Sequence, residues 1–183
     1  MSKSVLVVID MQNDFLTGSL KNSEHARVTK EVVNVINNEK YDKVFLTRDT
    51  HNEQYLNTQE GKRLPVIHTQ MNEWGWQIED SIIDAVNKNF NAEDVQFINK
   101  PTFGSKELQS IFEDLELQYS AEGLQIDFCG VCTGICVISN AIPAKMFAPE
   151  ATIRVIENAC ACVTPDSHKA AIEAMKTCQI DVI

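Results

Sequence analysis

The sequence predicts an α/β protein: a doubly wound, six-stranded, mostly parallel sheet lying between two helix layers. Three observations carry this expectation. Short apolar runs alternate with amphipathic stretches from one end to the other, as repeated strand–helix units do. The first run, residues 5–9, is apolar on both faces, as in the middle of a parallel sheet covered on both sides. A chain of 183 residues is long enough for one such domain with a proper core, residues 1–183, and too short for two comfortable ones.

The elements follow in order. The first strand covers 4–10 and ends in Asp10, whose carboxylate then points into the crevice where open α/β sheets bind ligands. Residues 11–20 are rich in turn formers and predict a loop over the same crevice. Val28, Val32, Val33 and Ile36 predict a surface helix over 25–38, with His25 solvated at its start. A second strand over 43–48 delivers Asp49 and His51, and the loop beyond it carries Glu60 and His68. Residues 74–90 read as a short amphipathic helix behind a turn, its two tryptophans used for packing. The third strand, 95–99, ends in Lys100, and Ser105 caps a helix running through Leu108, Ile111, Phe112 and Leu115. Residues 124–128, bounded by Gly123 and Gly130, form the fourth strand, and a helix is expected from Cys132 to Phe147. A fifth strand over 151–156, a helix over 166–178 and a sixth strand over 179–183 complete the chain. No repeat, linker or low-complexity segment interrupts it.

A net charge of −10 argues against nucleic acid or an anionic membrane surface as partner, since both require a basic footprint. The apolar run near the N-terminus is too short for a signal-peptide core, and no run approaches a membrane span. A cytoplasmic protein is expected, with its six cysteines as thiols. Cys132 and Cys136 are spaced C-x3-C, which is neither a redox nor a zinc knuckle.

Chemistry concentrates where the fourth strand passes through Gly130 and small residues into its helix. Unpaired N–H groups and the positive end of the helix dipole favour an anion there, and a cysteine in the first turn is biased toward thiolate. Cys136 has that place, with Cys132 one turn earlier; on this segment alone, both also read as small buried hydrophobes. Asp49, His51, Glu60 and His68 form a hard-to-borderline donor set suited to zinc or manganese. Their spacing alone leaves a coincidence open.

Three motifs together, Val8-Ile-Asp-Met-Gln-Asn-Asp-Phe15, Asn99-Lys-Pro-Thr-Phe-Gly104 and Gly130-Val-Cys-Thr-Gly-Ile-Cys-Val137, resemble those of the isochorismatase-like cysteine hydrolases, in the same order and across the whole chain. The resemblance implies an isochorismatase-like, Rossmann-type three-layer sandwich assembled as a dimer or tetramer. It implies a catalytic triad of Asp10, Lys100 and Cys136, and a non-proline cis peptide before Cys132. The oxyanion would be held by the backbone N–H groups of Cys132 and Cys136. Among family members, the nicotinamidases carry one divalent metal (Zn or Mn/Fe), and Asp49, His51 and His68 look like its ligands, with Glu60 resembling a fourth. Two departures are Tyr55, where a second histidine is frequent, and Leu64, where an aromatic often precedes the proline. Phe15 and Phe103 remain as apolar faces for a flat ring.

The implied reaction is hydrolysis of a small carboxamide through a cysteine thioester, nicotinamide being the first candidate. The alternative is a ureido or carbamoyl compound, whose carboxylate would need a basic clamp; Arg48 and Arg63 are the nearby cations. Two other classes fit the residues less well. A redox thiol module on Cys132 and Cys136 leaves Asp10 and Lys100 without a purpose, and the ether hydrolases of the family lack a nucleophilic cysteine.

Overall fold

The computed structural model describes residues 2–183. Thirteen strands and helices of the usual kinds alternate along it: β1 (Lys3–Ile9), α1 (Asn13–Leu16), α2 (Ser23–Asn38), β2 (Lys43–Asp49), α3 (Gln59–Arg63), α4 (Asp80–Asn89), β3 (Val95–Lys100), α5 (Lys106–Gln118), β4 (Leu124–Val131), α6 (Ile138–Phe147), β5 (Thr152–Ala161), α7 (Pro165–Thr177) and β6 (Asp181–Val182). The six strands form one sheet in the order β3-β2-β1-β4-β5-β6, and every adjacent pair is parallel. The order in which the chain adds strands reverses between β1 and β4, and a crevice opens outside the carboxyl ends of the strands at such a point. Asp10 follows β1 and Cys132 follows β4, so both lie at the mouth of that crevice.

β1 is central, and Val5 to Ile9 are all buried, which explains a run with no polar face. α2 packs against α4, while α6 packs against both α5 and α7. Caps set the helix starts: Asn22 accepts from Glu24 N–H, Ser105 from Leu108 N–H, and Thr164 forms a capping box with Ser167 ahead of Pro165. Among the described residues, no helix is long and apolar enough to cross a membrane.

Five elements differ from the expectation. β4 runs on to Val131 because Cys129 and Gly130 stay paired with Val8 and Ile9. Gly130 is required there: its φ is 112°, and a Cβ would meet the Ile9 carbonyl oxygen at 2.1 Å. β5 likewise continues to Ala161, past a register shift opposite Phe128 and Gly130. The helix expected over 74–90 is split. Trp74–Trp76 form a single 3-10 turn, Ile78 bridges to Gln12, and Glu79 caps α4 by accepting from Ser81 N–H. The expected start at Cys132 is a π-helical turn, Thr133–Val137, before α6 proper. β6 is shorter than 179–183, covering only Asp181–Val182.

Candidate active site

Asp10, Lys100 and Cys136 come from three separate strand ends and meet at one buried point, where Cys136 lines a cleft. Lys100 Nζ lies 2.6 Å from Asp10 Oδ2, 3.6 Å from Cys136 Sγ and 3.7 Å from Asp49 Oδ1. All are buried; Asp10 is 0% and Lys100 1% exposed, so water screens little of their interaction. Asp10 sits at φ 47°, a left-handed backbone that aspartate tolerates better than most residues. Thr47 on β2 secures it twice: its hydroxyl accepts from the Asp10 N–H at 3.1 Å and donates to Oδ1 at 2.6 Å.

Burial pushes the Asp10 carboxyl up, against the pull of the Lys100 cation. It also pushes the Cys136 thiol well above its usual range, with Lys100 opposing. The bias toward thiolate expected of a first-turn cysteine thus meets an opposing effect: burial favours the Cys136 thiol, beside a carboxyl pushed up by the same burial. Lys100 itself is raised, because Asp10, Cys136 and Asp49 outweigh the desolvation that would lower it.

The π-turn sets the backbone around the sulfur. The Val131–Cys132 peptide is cis. The Cys132 carbonyl takes the N–H groups of Ile135 and Val137, while among the described residues the N–H of Cys132 donates to no protein acceptor. Asn140, one turn beyond Cys136, donates to the carbonyls of Cys136 (2.8 Å) and Phe103 (3.1 Å) and accepts from Ser105 N–H (2.9 Å). It ties the cysteine turn to the loop after Lys100.

The cleft has a volume of about 390 Å³. Its walls include Phe15, Leu64, Phe103 and Ile135, together with Asp49, Glu60, His68, Cys132 and Cys136. The two phenylalanines thus both face it, Phe15 edge-on to His68 with ring centroids 5.8 Å apart.

Asp49, His51, Glu60 and His68 present one ligand atom each within 4.8 Å of one another. His51 Nε2 is 3.0 Å from Asp49 Oδ2 and 3.6 Å from Glu60 Oε1; His68 Nε2 is 3.4 Å and 4.0 Å from the same atoms. Donors about 2.1 Å from one ion stand roughly 3.0–3.4 Å apart in octahedral or tetrahedral arrangements. His68 Nδ1 lies 2.7 Å from the Val66 carbonyl, which fixes the proton there and aims the Nε2 lone pair at the two carboxylates. Asp49 Oδ1 and His51 Nε2 are buried without a hydrogen-bond partner. Lone pairs facing carboxylates, with orphaned buried acceptors, are what a cation would satisfy. The residues present fit a divalent ion. Tyr55, at the position of the first departure, fills space rather than adding a donor: its ring packs on His51 and His68, and its hydroxyl donates to the Leu64 carbonyl.

Three residues around the cleft were misjudged or missed in the sequence. His25 is buried, not solvated, because it extends the Val28–Val32 stripe of α2 one turn earlier; its Nε2 lies 3.2 Å from Cys132 Sγ. Arg48 is no substrate clamp: it stacks on Trp76 (3.9 Å to the ring centre) and Phe97 (4.8 Å) and donates to Asn99. The basic residue that lines the cleft is Lys21. Nothing local marks Lys21 in the sequence, since it lies in a loop whose path is set by α1 and the Asp14–Ser19 hydrogen bond.

The family model described as the Isochorismatase domain matches residues 4–183. No curated protein sequence matches significantly. Among solved structures, a nicotinamidase/pyrazinamidase of Bacillus subtilis superposes with TM-score 0.79 at 22% identity, covering 98% of each chain. A pyrazinamidase/nicotinamidase of Streptococcus mutans gives 0.80 at 23%, covering 99% of this chain and 100% of the other. A pyrazinamidase of Pyrococcus horikoshii in complex with zinc gives 0.77 at 22%, covering 99% and 98%. At these identities the structural likeness carries the fold. The family model spans nearly the entire chain, and the sheet order, the crevice and the motif residues gathered in it agree with it: this chain belongs to the isochorismatase family of hydrolases.

Proposed function

We propose that the protein hydrolyses a small carboxamide, nicotinamide being the first candidate, through a thioester on Cys136. The observation that carries this reading is the buried Lys100 ammonium in contact with both Asp10 and Cys136. Asp10 takes the thiol proton as the sulfur attacks the amide carbon, and Lys100 stabilises the negative charge that builds on both partners. The oxyanion is received by the N–H groups of Cys132 and Cys136, the first of which has no protein acceptor among the described residues. Asp10 then gives the proton to the departing ammonia and activates water against the thioester. Asp49, His51, Glu60 and His68 would hold one divalent ion (zinc, manganese or iron), which supplies a Lewis-acid contact for orienting the substrate. Phe15 and Phe103 offer faces for a flat ring.

Lys21 favours a second reading, a ureido or carbamoyl compound whose carboxylate reaches the cleft rim. Ammonia release from a panel holding nicotinamide, pyrazinamide and carbamoyl amino acids separates the two. Release from the ring amides alone supports the first reading. Release from the carbamoyl compounds alone, lost in Lys21→Ala, replaces it with the second.

Two further outcomes are expected. Lys100→Ala removes the cation that opposes the rise in the Cys136 pKa, so the thiol ionises at still higher pH. Iodoacetamide labelling of Cys136 should shift to higher pH; an unchanged profile would mean Lys100 does not act on the sulfur. The same change leaves Asp10 and Asp49 buried without their cation, at a cost of about 3–5 kcal/mol in stability. Removing metal with a chelator should raise KM about tenfold, the worth of one contact of ~1.4 kcal/mol, with little change in kcat. His51→Ala and Asp49→Ala should behave like the stripped protein, and absence of bound metal in the untreated protein would refute this role.

A further inference from the structure

The cleft described above leaves a second cysteine cluster unused. β4 and β5 pair up to Val131 and Ala161, and Cys132 and Cys162 are the residues that follow on each chain, close enough for their side chains to interact by hydrogen bonding. The Cys162 sulfur accepts the Gly134 N–H at 3.4 Å, within the same π-turn that carries Cys136. A Cβ on Gly134 would lie 3.3 Å from that sulfur, so glycine keeps this approach free of crowding.

The protons of the cluster can be assigned. His25 Nδ1 is 3.2 Å from the Phe15 carbonyl oxygen, which can only accept, so Nδ1 carries hydrogen and Nε2 is an acceptor. Burial lowers the His25 pKa and keeps the ring neutral. The Cys132 thiol therefore has two acceptors within reach, His25 Nε2 at 3.2 Å and the Cys162 sulfur. The Cys132 thiol pulls the Cys162 pKa down, burial opposes it, and Ser167 with the Gly134 and Val163 N–H groups adds to the lowering, to about 5. Cys162 is thus the sulfur favoured as thiolate, while the hydrogen bond to Cys162 and then burial raise Cys132, and burial raises Cys136, toward the thiol form. The pair also spans two openings: Cys132 lines the cleft, and Cys162 lines a second cavity of about 250 Å³ with Arg27, His168 and Lys169.

We propose that Cys162 and Cys132 form a peroxide-reactive thiol pair, separate from the Cys136 chemistry, that closes to a disulfide at the wall between the two cavities. The Cys162 thiolate attacks the terminal oxygen of a hydroperoxide entering through the second cavity. The O–O bond breaks, the alkoxide or hydroxide leaves and is protonated, and the sulfur is oxidised by two electrons to the sulfenic acid. The Cys132 sulfur, whose proton His25 Nε2 can take, then attacks the sulfenic sulfur. The S–S bond forms, the S–O bond breaks, and hydroxide departs with that proton as water. One hydroperoxide is reduced to an alcohol or water for each disulfide made. Closure draws the Cys132 side chain from His25 toward Cys162 and displaces the residue whose N–H faces the reacting carbonyl.

The test is non-reducing peptide mapping of the full-length protein after treatment with hydrogen peroxide and blocking of free thiols. A peptide linking Cys132 to Cys162 is expected, reversed by dithiothreitol and absent in Cys162→Ser, which keeps a hydrogen-bond acceptor of similar shape. A Cys132–Cys136 link, or oxidation confined to Cys136 with Cys162 still alkylatable, overturns the proposal; the wild-type map alone decides this if the variant does not fold. Amide hydrolysis should fall about a hundredfold on closure and recover with dithiothreitol. That second readout rests on the proposed function, whereas the map does not, so failure of one is distinguishable from failure of the other.

Discussion

Replacing Cys136 with alanine should lower amide turnover by about 10⁵–10⁶-fold, the scale of losing the nucleophile from a cooperating set of groups. The fold should survive, because the substitution trades a buried thiol for a methyl group and leaves no polar atom stranded; Lys100 keeps Asp10 and Asp49 as partners. Circular dichroism and thermal melting check the second half of that expectation. The matched control is Cys132→Ala. The N–H proposed for the oxyanion survives in it, so activity should stay within about tenfold of wild type. His25 Nε2, however, loses its nearest donor, and stability should fall by roughly 1–3 kcal/mol. If Cys132→Ala is the inactive variant and Cys136→Ala the active one, the two roles are reversed.

The second large effect is expected at Asp10. Asp10→Asn removes the proton acceptor while keeping the shape of the side chain and the Thr47 hydroxyl bond at Oδ1. Loss of general-base action is worth about 10²–10⁴ in rate. The amide nitrogen would then stand against the Lys100 ammonium, now 2.6 Å from Oδ2, so a modest drop in stability should accompany the loss. A variant within tenfold of wild type would place the base elsewhere in the cleft.

Some of this was readable in the chain and some was not, for physical reasons. Asp10, Lys100 and Cys136 stand out because each lies at a strand's carboxyl end or in the turn that follows, where a parallel sheet exposes side chains to a shared crevice. Asp49, His51, Glu60 and His68 were recognisable as donor types. That their ligand atoms approach within 4.8 Å depends on how the loop after β2 folds back, which no spacing encodes. Thr47 and Asn140 went unnoticed because one is an ordinary strand residue and the other an ordinary helix residue; their importance is entirely in what they touch. His25 was misplaced for a different reason: a polar residue extending an apolar stripe reads as the end of the stripe unless its partners are known. The tryptophan segment misled because Trp74 to Trp76 makes only a single 3-10 turn, and Ile78 is held extended by its bridge to Gln12 before α4 begins.

The thioester on Cys136 is tested most directly by partitioning it between water and hydroxylamine during turnover of nicotinamide, with nicotinate, nicotinohydroxamate and ammonia all measured. The expected result is nicotinohydroxamate rising with hydroxylamine at the expense of nicotinate, with neither acid nor hydroxamate formed by Cys136→Ala. Ammonia and nicotinate produced with no hydroxamate at any hydroxylamine concentration, and undiminished in Cys136→Ala, would contradict it and point to direct attack by water.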